Sequence, residues 1–478
     1  MSDSAARTSK NTIMLFAGTM VRMVANFGFV VFSADKLGLA GFGKYSLGVF
    51  YFELFLSLCA TAVGILLTRD LAKWPKHASE LLTSSVSLAI VLAIAGTGIL
   101  LSLSLVLNYS PDTIQAINIA ALALLPASIG LVLEAALVAF ERSEFVALAI
   151  SIESILRIAI SAVMLAMGFS LVSLFWVLIL SRVCQLLVYW FCVHRIAKPK
   201  VDFQWTRVRR FASRWRIFAA ENWMATIYTS LDMFVLSWLA GEVAVGIYSA
   251  AWKIVRPITI VAKAYTTAVF PVLSRMYQRS RADFERLNVD TIRLMCAIAL
   301  PAVIIVMVLS QRIIDLVYYS GEYAEAVPVL QALIWVLLLQ FLNPFLSHTL
   351  FARGRQEKSM YVAGIALAVN SVATFALVYK YGALGAAIGT VIGGLVAMCC
   401  YMFFALTKTE ITGVIGFAAR ALTAGLIIGA TLMFFRESNW VLIGAITLPL
   451  YLGLLWGFQV IHSGDVALVK SLFSRAAT

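Results

Sequence analysis

Three basic residues lie within one apolar stretch, from Gly241 to Pro271, that is long enough to cross a bilayer. A cation at the centre of a membrane costs on the order of 2.5–3.5 kcal/mol on insertion scales. At about 100° per residue, Lys253, Arg256 and Lys263 fall within an arc of roughly 80° on one helix face. We therefore expect this face to line a protein-enclosed space that attracts an anionic group.

Two further apolar segments place polar residues where they could join this space. Arg22 and Asn26 lie one turn apart in the first segment, and Arg182 lies in the sixth. Glu153 and Arg157 stand four residues apart in the order that favours an ion pair, so we expect a structural pair there. Guanidinium and ammonium groups bind phosphates, which makes a lipid pyrophosphate the expected anion. The predicted substrate-binding set is Arg22, Asn26, Lys253, Arg256, Lys263 and Arg182.

Acidic residues inside apolar segments could neutralise these cations or relay protons. Glu53 shares a helix face with three hydroxyl side chains, and Glu134 lies in the fourth segment. Glu221 and Asp232 are eleven residues apart and so face the same way. These four are the candidate residues for ion coupling, with H⁺ and Na⁺ both open as the ion. No nucleotide-binding loop and no metal-ligand spacing is present, so no cofactor is expected.

The composition predicts an all-α polytopic membrane protein. Of 478 residues, 62% are hydrophobic and only 13% are charged, against about a quarter charged in soluble domains. Apolar runs of about 20 residues recur along the chain. We predict about fourteen spans, at residues 11–33, 43–68, 81–107, 113–140, 145–167, 170–193, 215–240, 243–270, 290–310, 326–352, 358–380, 383–406, 412–435 and 439–461.

The distribution of Lys and Arg predicts that both termini are cytoplasmic. The loops after odd-numbered spans carry few of these residues, namely Lys36, Lys44, Arg312, Lys380 and Arg436. The net charge of +13 is largely this orientation signal, so nucleic acid is not an expected partner. External loops are short, which argues against an enzyme with an external catalytic segment.

The chain contains a weak internal repeat. A G-x-Y-S core occurs at Gly43–Ser46 and again at Gly246–Ser249, and "LVAFERSEF" (137–145) parallels "LFARGRQEK" (350–358). The matches lie six spans apart, which indicates parallel repeats. We predict an N-lobe of six spans at 1–193, a basic cytoplasmic linker at 194–214, a C-lobe of six spans at 215–406, and two extra spans with a cytoplasmic tail at 407–478.

The basic segment 194–216 has two interpretations. It could be a positive-inside linker, or a helix lying in the headgroup layer and recruiting anionic lipid. An apolar strip of Val208, Phe211 and Trp215 at helical spacing favours a helix.

Several motifs, in order, resemble those of the polysaccharide transport family of the multidrug/oligosaccharidyl-lipid/polysaccharide exporter superfamily. The resemblance covers residues 10–410. It rests on "LGLAGFGKYSLGVFYFELFLSLCATAVGILLTRDLAK", "LDMFVLSWLAGEVAVGIYSAAWKI" with "AVFPVLSRMY", "YYSGEYAEAVPVLQAL" and "YKYGALGAAIGTVI". Family motif positions are occupied here by Tyr45, Arg69, Asp232, Tyr248, Lys253, Pro271 and Gly321.

This resemblance implies two six-helix lobes around a central cationic cavity in the bacterial inner membrane. It implies a flippase that carries undecaprenyl-pyrophosphate-linked oligosaccharide to the periplasmic leaflet by alternating access, for O-antigen, lipopolysaccharide or exopolysaccharide synthesis. The implied partners are the polyprenyl-pyrophosphate-linked glycan, membrane lipids, and the polysaccharide polymerase and chain-length proteins. Asp232 and Lys253 stand out on both family and physical grounds.

Two alternatives remain open from the residues. A drug or organic-cation antiporter of the same superfamily would need an acidic or aromatic cavity, against which the cation surplus argues. A polytopic glycan-processing enzyme would need external acids, and Asp315, Glu322 and Glu325 share one loop.

Overall fold

The described part of the chain is built from helices, with no strand among the described residues. The computed structural model describes residues 2–197, 204–319, 321–435, 449–451, 453, 454, 456 and 457, excluding the side chains of 2–22, 197, 260, 261, 263–265, 267, 268, 271, 415, 418, 419 and 422. The α-helices are α1 (Ser2–Leu56), α2 (Ala62–Lys73), α3 (Ala78–Val106), α4 (Pro111–Leu122), α5 (Leu124–Ala139), α6 (Ser143–Ala166), α7 (Leu171–Ala197), α8 (Trp205–Arg279), α9 (Arg281–Val317), α10 (Ala326–Leu333), α11 (Trp335–Ala352), α12 (Gln356–Ala405) and α13 (Lys408–Phe434).

The helices confirm the all-α polytopic membrane class. Among the described residues, eight are long and apolar enough to cross a membrane, or nine if the bent pair α4 and α5 forms one span. Three of the eight (Met23–Lys73, Trp205–Thr259 and Gln356–Ala405) contain a glycine with non-helical backbone, so each carries two helical segments. The predicted thirteenth span corresponds to α13, while most of the predicted span 439–461 lies outside the described residues.

Left-handed backbone occurs at matching places in the repeated sequences. Gly38 (φ 66°) and Gly241 (φ 79°) break α1 and α8, each shortly before its G-x-Y-S motif. Glu141 (φ 57°) and Gly354 (φ 71°) hold the same position in the second pair of matched segments. Only glycine and a few polar residues adopt this conformation readily. The repeat seen in sequence therefore extends to backbone conformation.

The two G-x-Y-S motifs also touch each other. A Cβ atom added to Gly43 would lie 2.1 Å from the carbonyl oxygen of Glu242 and 3.1 Å from the backbone nitrogen of Gly246. A Cβ atom on Gly246 would lie 2.7 Å from the carbonyl oxygen of Leu39. Backbone approaches backbone here, so both positions require glycine.

The chain divides into two compact units, Met1–Gly246 and Ile247–Ala477. The first unit has a core cluster to which α2, α3, α5, α6, α7 and the start of α8 contribute. Its fully buried members include Leu67, Leu71, Val132, Leu137, Val146, Val193 and Phe211. The domain boundaries predicted from sequence stay a prediction.

The start of α8 is anchored to this core rather than lying free. Val208 and Phe211 are buried in the protein, so this part of the apolar strip packs inside the unit and does not face lipid headgroups. Arg214 reaches the fully buried Asp70 at 2.7 Å, and Arg69 approaches the same carboxylate at 2.9 Å. Two opposed cations stabilise a carboxylate that burial alone would penalise.

In the second unit, α13 packs along α9 and is tied to it by one buried carboxylate. Glu410 is 1% exposed and accepts hydrogen bonds from Asn288 Nδ2 at 2.8 Å and from Arg353 Nη2 at 2.8 and 3.0 Å. It also forms a capping box with Thr407, which begins the helix. Tyr451 donates to the carbonyl of Ala297 at 2.7 Å, adding a second tie to α9.

In the first unit, loops that the predicted topology places at the same end contact each other. Lys44, Asp112 and Glu242 lie after the first, third and seventh predicted spans, and Lys44 pairs with Asp112 at 3.1 Å. Asp70 and Arg214 lie after the second and sixth, and they pair with each other. These two ion pairs fit the predicted alternation of loops, and the alternation and the assignment of one end to the cytoplasm both stay predictions.

Gly43→Ala should destabilise the fold, because the new methyl would overlap the backbone of the facing motif. Overpacking of this kind costs about 1–3 kcal/mol. The measurement is the melting temperature of the purified protein in detergent. Gly28→Ala is the matched control, because nothing lies within 4 Å of a Cβ atom there. Equal melting temperatures for the two variants would contradict the close contact.

Candidate functional site

A buried polar network in the first unit joins α1, α6 and α7. Glu153 is 3% exposed and accepts a hydrogen bond from Arg157 Nε at 2.9 Å, which confirms the predicted pair. Arg157 also donates from Nη2 to Asn26 Oδ1 at 2.6 Å. Ser181 donates to Glu153 at 3.3 Å. Asn26, predicted to contact substrate, is therefore held by an arginine of its own unit.

The network continues along α7 to α5. Arg182 donates to Gln185 Oε1 at 3.0 Å, and its guanidinium lies 5.5 Å from the centre of the Phe52 ring. Gln185 donates to the hydroxyl of Tyr189 at 3.4 Å, which in turn donates to Glu134 Oε2 at 2.9 Å. Arg182 is also close enough to Glu153 to interact electrostatically. Asn26, Arg182 and Glu134 thus belong to one connected set.

This network neutralises its own charges. Glu153 has Arg157 and Arg182 as opposed cations, and the polar atoms between them are linked by hydrogen bonds. A buried charge without such partners would cost several kcal/mol. The arrangement fixes the relative positions of four helices, because its two arginines, Arg157 and Arg182, are balanced by the carboxylates of Glu153 and Glu134.

The remaining predicted site residues are placed elsewhere. Lys253 is half-buried and Arg256 is exposed on α8 in the second unit. Glu53 and Glu221 are exposed in the first unit. Asp232 is half-buried and accepts from the backbone N–H of Met233 at 2.8 Å. The side chains of Arg22 and Lys263 lie outside the described residues.

Sequence reasoning missed three members of the network, Ser181, Gln185 and Tyr189. They recur every four residues on α7, so they line one face. This polar stripe within an apolar span was the available signal. Uncharged side chains of this kind are common in membrane helices, which is why charges alone drew attention.

A π-helical turn at Ser57–Thr61 interrupts the helix that continues from α1 to α2. Side chains of α8 take up the backbone carbonyls there. Asn222 Nδ2 donates to the carbonyl of Ser57 at 3.0 Å, and Trp223 Nε1 donates to that of Leu58 at 2.8 Å. The Ser57 and Thr226 hydroxyls share a hydrogen bond of 2.9 Å. Such π turns occur often at functional positions. This one is hydrogen-bonded to α8, and it follows the exposed Glu53 by one helical turn.

A second set of contacts forms what we call the end latch, made of Ser110, Glu242, Tyr51, Tyr109 and Ser237. The Glu242 carboxylate accepts from the backbone N–H of Ser110 at 2.8 Å and from its hydroxyl at 2.9 and 3.1 Å. The carboxylate therefore lies at the N-terminus of α4, where the helix dipole favours a negative charge.

The same latch includes a chain of hydroxyls. Tyr51 and Tyr109 share a hydrogen bond of 3.0 Å, and Tyr109 donates to Ser237 at 2.9 Å. A cavity of about 350 Å³ lies beside the chain, lined by residues 106–109 and 237–241. The latch and the glycine contact of Gly43 thus close the same end of this unit.

Removing one partner of the Glu153–Arg157 pair should cost more than removing both. Arg157→Gln leaves a nearly fully buried carboxylate with one fewer cation, an effect of about 3–5 kcal/mol in similar pairs. Adding Glu153→Gln should restore part of the loss. The free energy of unfolding in detergent measures both. The exposed Arg142–Glu144 pair, at 3.4 Å, is the control and should contribute under about 1 kcal/mol. Additive effects at Glu153 and Arg157 would count against the pair.

The chain matches a family model described as polysaccharide biosynthesis protein over residues 8–277, more than half of its length. A second model, MatE, matches residues 218–376. The two models overlap in the segment that contains Asp232, Lys253 and Arg256.

The curated relatives that the chain matches are also named for polysaccharide synthesis or transport. The chain is 26% identical over 187 residues to the capsular polysaccharide biosynthesis protein CapF of Staphylococcus aureus, covering 39% of this chain and 47% of that protein. It is 26% identical over 214 residues to a putative O-antigen transporter of Shigella flexneri, covering 44% and 50%. The chain thus spans about half the length of the curated relatives it matches.

Among solved structures, the lipid II flippase MurJ in an inward closed conformation superimposes with a TM-score of 0.76 at 16% identity. The match covers 95% of this chain and 100% of that one. At this identity the likeness shows the fold. With the family model over residues 8–277 and the multi-pass helical fold, the chain belongs to the polysaccharide biosynthesis protein family of membrane proteins.

Proposed function

We propose that the protein is a flippase for a polyprenyl-pyrophosphate-linked oligosaccharide of surface polysaccharide synthesis. The observation that carries the proposal is the pair Lys253 and Arg256, three residues apart on one face of an apolar segment of α8. Family membership and relatives named for capsular polysaccharide biosynthesis and O-antigen transport support it. The substrate would be undecaprenyl-pyrophosphate-linked, carried from the cytoplasmic to the periplasmic leaflet.

The pyrophosphate is the part of this substrate that resists transfer through a bilayer, because its charge must leave water. Lys253 and Arg256 would offset that cost by offering cations in a place of reduced dielectric. Thr259 donates a hydrogen bond from its hydroxyl to the carbonyl of Arg256 at 2.7 Å. This side-chain hydrogen bond adds to the backbone hydrogen bonds of the same helical turn. The glycan itself would be bound by dispersed polar and aromatic groups.

Alternating access requires contacts at one end that hold it closed and can be released. The end latch has suitable chemistry, because its members are joined by hydrogen bonds between carboxylate, hydroxyl and backbone groups rather than by a packed apolar core. Glu242, Ser110 and Tyr109 lie after predicted odd-numbered spans, which places the latch on the predicted periplasmic side. We infer that it closes that side in the state described here.

The substrate assignment predicts that Lys253→Ala/Arg256→Ala abolishes transport while the chain still folds. Purified protein in liposomes is given a fluorescent polyprenyl-pyrophosphate glycan, and its transfer between leaflets is timed. We expect at least a tenfold fall in rate, because two charge-assisted contacts are removed. Arg275→Ala/Arg279→Ala, two exposed arginines further along α8, is the control with the same change in charge.

The same liposome assay distinguishes the flippase from the alternative functions and tests for ion coupling. Transfer that depends on an imposed H⁺ or Na⁺ gradient, and is lost on neutralising Glu53, Glu134, Glu221 or Asp232, would identify ion coupling and its residue. Chemical alteration of the lipid, lost on neutralising Asp315, Glu322 and Glu325, would mean that the protein is an enzyme. Efflux of organic cations without glycan transfer would favour an antiporter.

Glu242→Ala should make the latched end more accessible. Two charge-assisted hydrogen bonds are lost, one from the backbone N–H of Ser110 and one that its hydroxyl shares between both carboxylate oxygens, each worth about 1.5–3 kcal/mol. In a variant free of native cysteines, Leu107→Cys, at a buried position of the cavity wall, reports access through its labelling rate with a membrane-impermeant thiol reagent. We expect labelling to rise at least tenfold. Asp112→Ala, which breaks only the bridge to Lys44, is the control. Unchanged labelling in Glu242→Ala would rule the latch out.

A further inference from the structure

The first turns of α8 have one face inside the protein and one face outside it. Val208 is buried, Phe211 belongs to the core cluster, and Arg214 is held by Asp70. The opposite face is exposed and carries three arginines, Arg209, Arg210 and Arg216. The basic residues of this segment therefore fall into two groups, one tied to acids of the protein and one directed away from it.

Two large apolar side chains frame the exposed arginines. Trp205 is 63% exposed and Ile217 is 75% exposed. At about 100° per residue, these two and the three arginines fall within an arc of roughly 140°, opposite Phe211. A helix face that combines exposed apolar and basic groups is typical of a segment lying against a membrane surface.

Neighbouring elements place the same kinds of residue around the same core cluster. The cluster members Leu71, Val193 and Phe211 bring together the end of α2, the end of α7 and the start of α8. Beside them, tryptophans are exposed at Trp74 (49%) and Trp190 (44%). Exposed basic residues accompany them at Lys73, Lys76 and Arg195. Tryptophan is enriched at the level of the headgroups in membrane proteins.

We propose that the exposed face of α8 formed by Trp205, Arg209, Arg210, Arg216 and Ile217 binds the anionic headgroups of membrane phospholipids. The chain continues from this face into an apolar span, so the face lies at the membrane border by connectivity. Charge complementarity favours phosphate, and the flanking Trp205 and Ile217 favour a phosphate that carries acyl chains. The site is independent of which molecule the protein transports.

The test uses the purified full chain in dodecyl maltoside micelles, titrated with phosphatidylglycerol or with phosphatidylcholine while the melting temperature is followed. Phosphatidylglycerol should raise the melting temperature saturably, and phosphatidylcholine should not. In Arg209→Gln/Arg210→Gln/Arg216→Gln the half-saturating concentration should rise by at least tenfold, since each basic residue near an anionic surface contributes about fivefold. An unchanged melting temperature without lipid shows that the variant folds.

Two further variants test whether lipid binding depends on these particular residues or only on the positive charge of the protein surface. Arg275→Gln/Arg279→Gln/Arg286→Gln removes three exposed arginines of the second unit and should leave the titration unchanged. Trp205→Ala, which alters no charge, should weaken phosphatidylglycerol binding several-fold. Equal losses in both triple variants, or no loss in either, would overturn the proposal. Full competition by inorganic pyrophosphate would also overturn it, because the site would then bind a soluble anion.

Discussion

The structure depends on one constraint, which is that a carboxylate removed from water must meet a cation. Three carboxylates in the described chain are nearly fully buried, those of Asp70, Glu153 and Glu410. Each meets an arginine: Arg214 and Arg69 approach the first, Arg157 the second and Arg353 the third. Because an unpaired buried charge is so costly, each pair acts as a fixed point that determines which helices lie side by side. The first pair joins α2 to α8, the network around the second joins α1, α5, α6 and α7, and the third joins α11 to α13.

The same constraint distinguishes two kinds of cation in apolar surroundings. Arg157 is used within its own unit, since Glu153 and Asn26 accept its hydrogen bonds. Lys253 and Arg256 lie three residues apart in an apolar stretch of α8, where the first is half-buried and the second is exposed. A transporter of an anionic lipid needs charges that hold a unit rigid and cations that a substrate can reach. The proposed function rests on the position of these two cations in an apolar helix, more than on the total charge of +13.

Rigid and releasable contacts occupy different ends of the first unit. At one end, Phe211 joins an apolar core and Asp70 adds a buried ion pair. At the other, close backbone contact at Gly43 and hydrogen bonds to Glu242 make the closure. Apolar packing is lost only with the fold, whereas part-buried hydrogen bonds to a carboxylate can exchange with water at a net cost of about 1.5–3 kcal/mol each. Such a unit can open at the latched end while its anchored end stays intact.

The sequence by itself determined the membrane class, the helices, the repeat and the Glu153–Arg157 pair, because hydropathy, glycine spacing and i,i+4 charge order are local properties. It also indicated the family through ordered motifs. Only the tertiary structure decided that Asn26 is an acceptor for Arg157, that Phe211 is buried in protein instead of lipid, and that Glu242 caps α4. Each of these depends on which helix lies opposite a given face. That choice is made by side chains far apart in the chain, so no local pattern could reveal it.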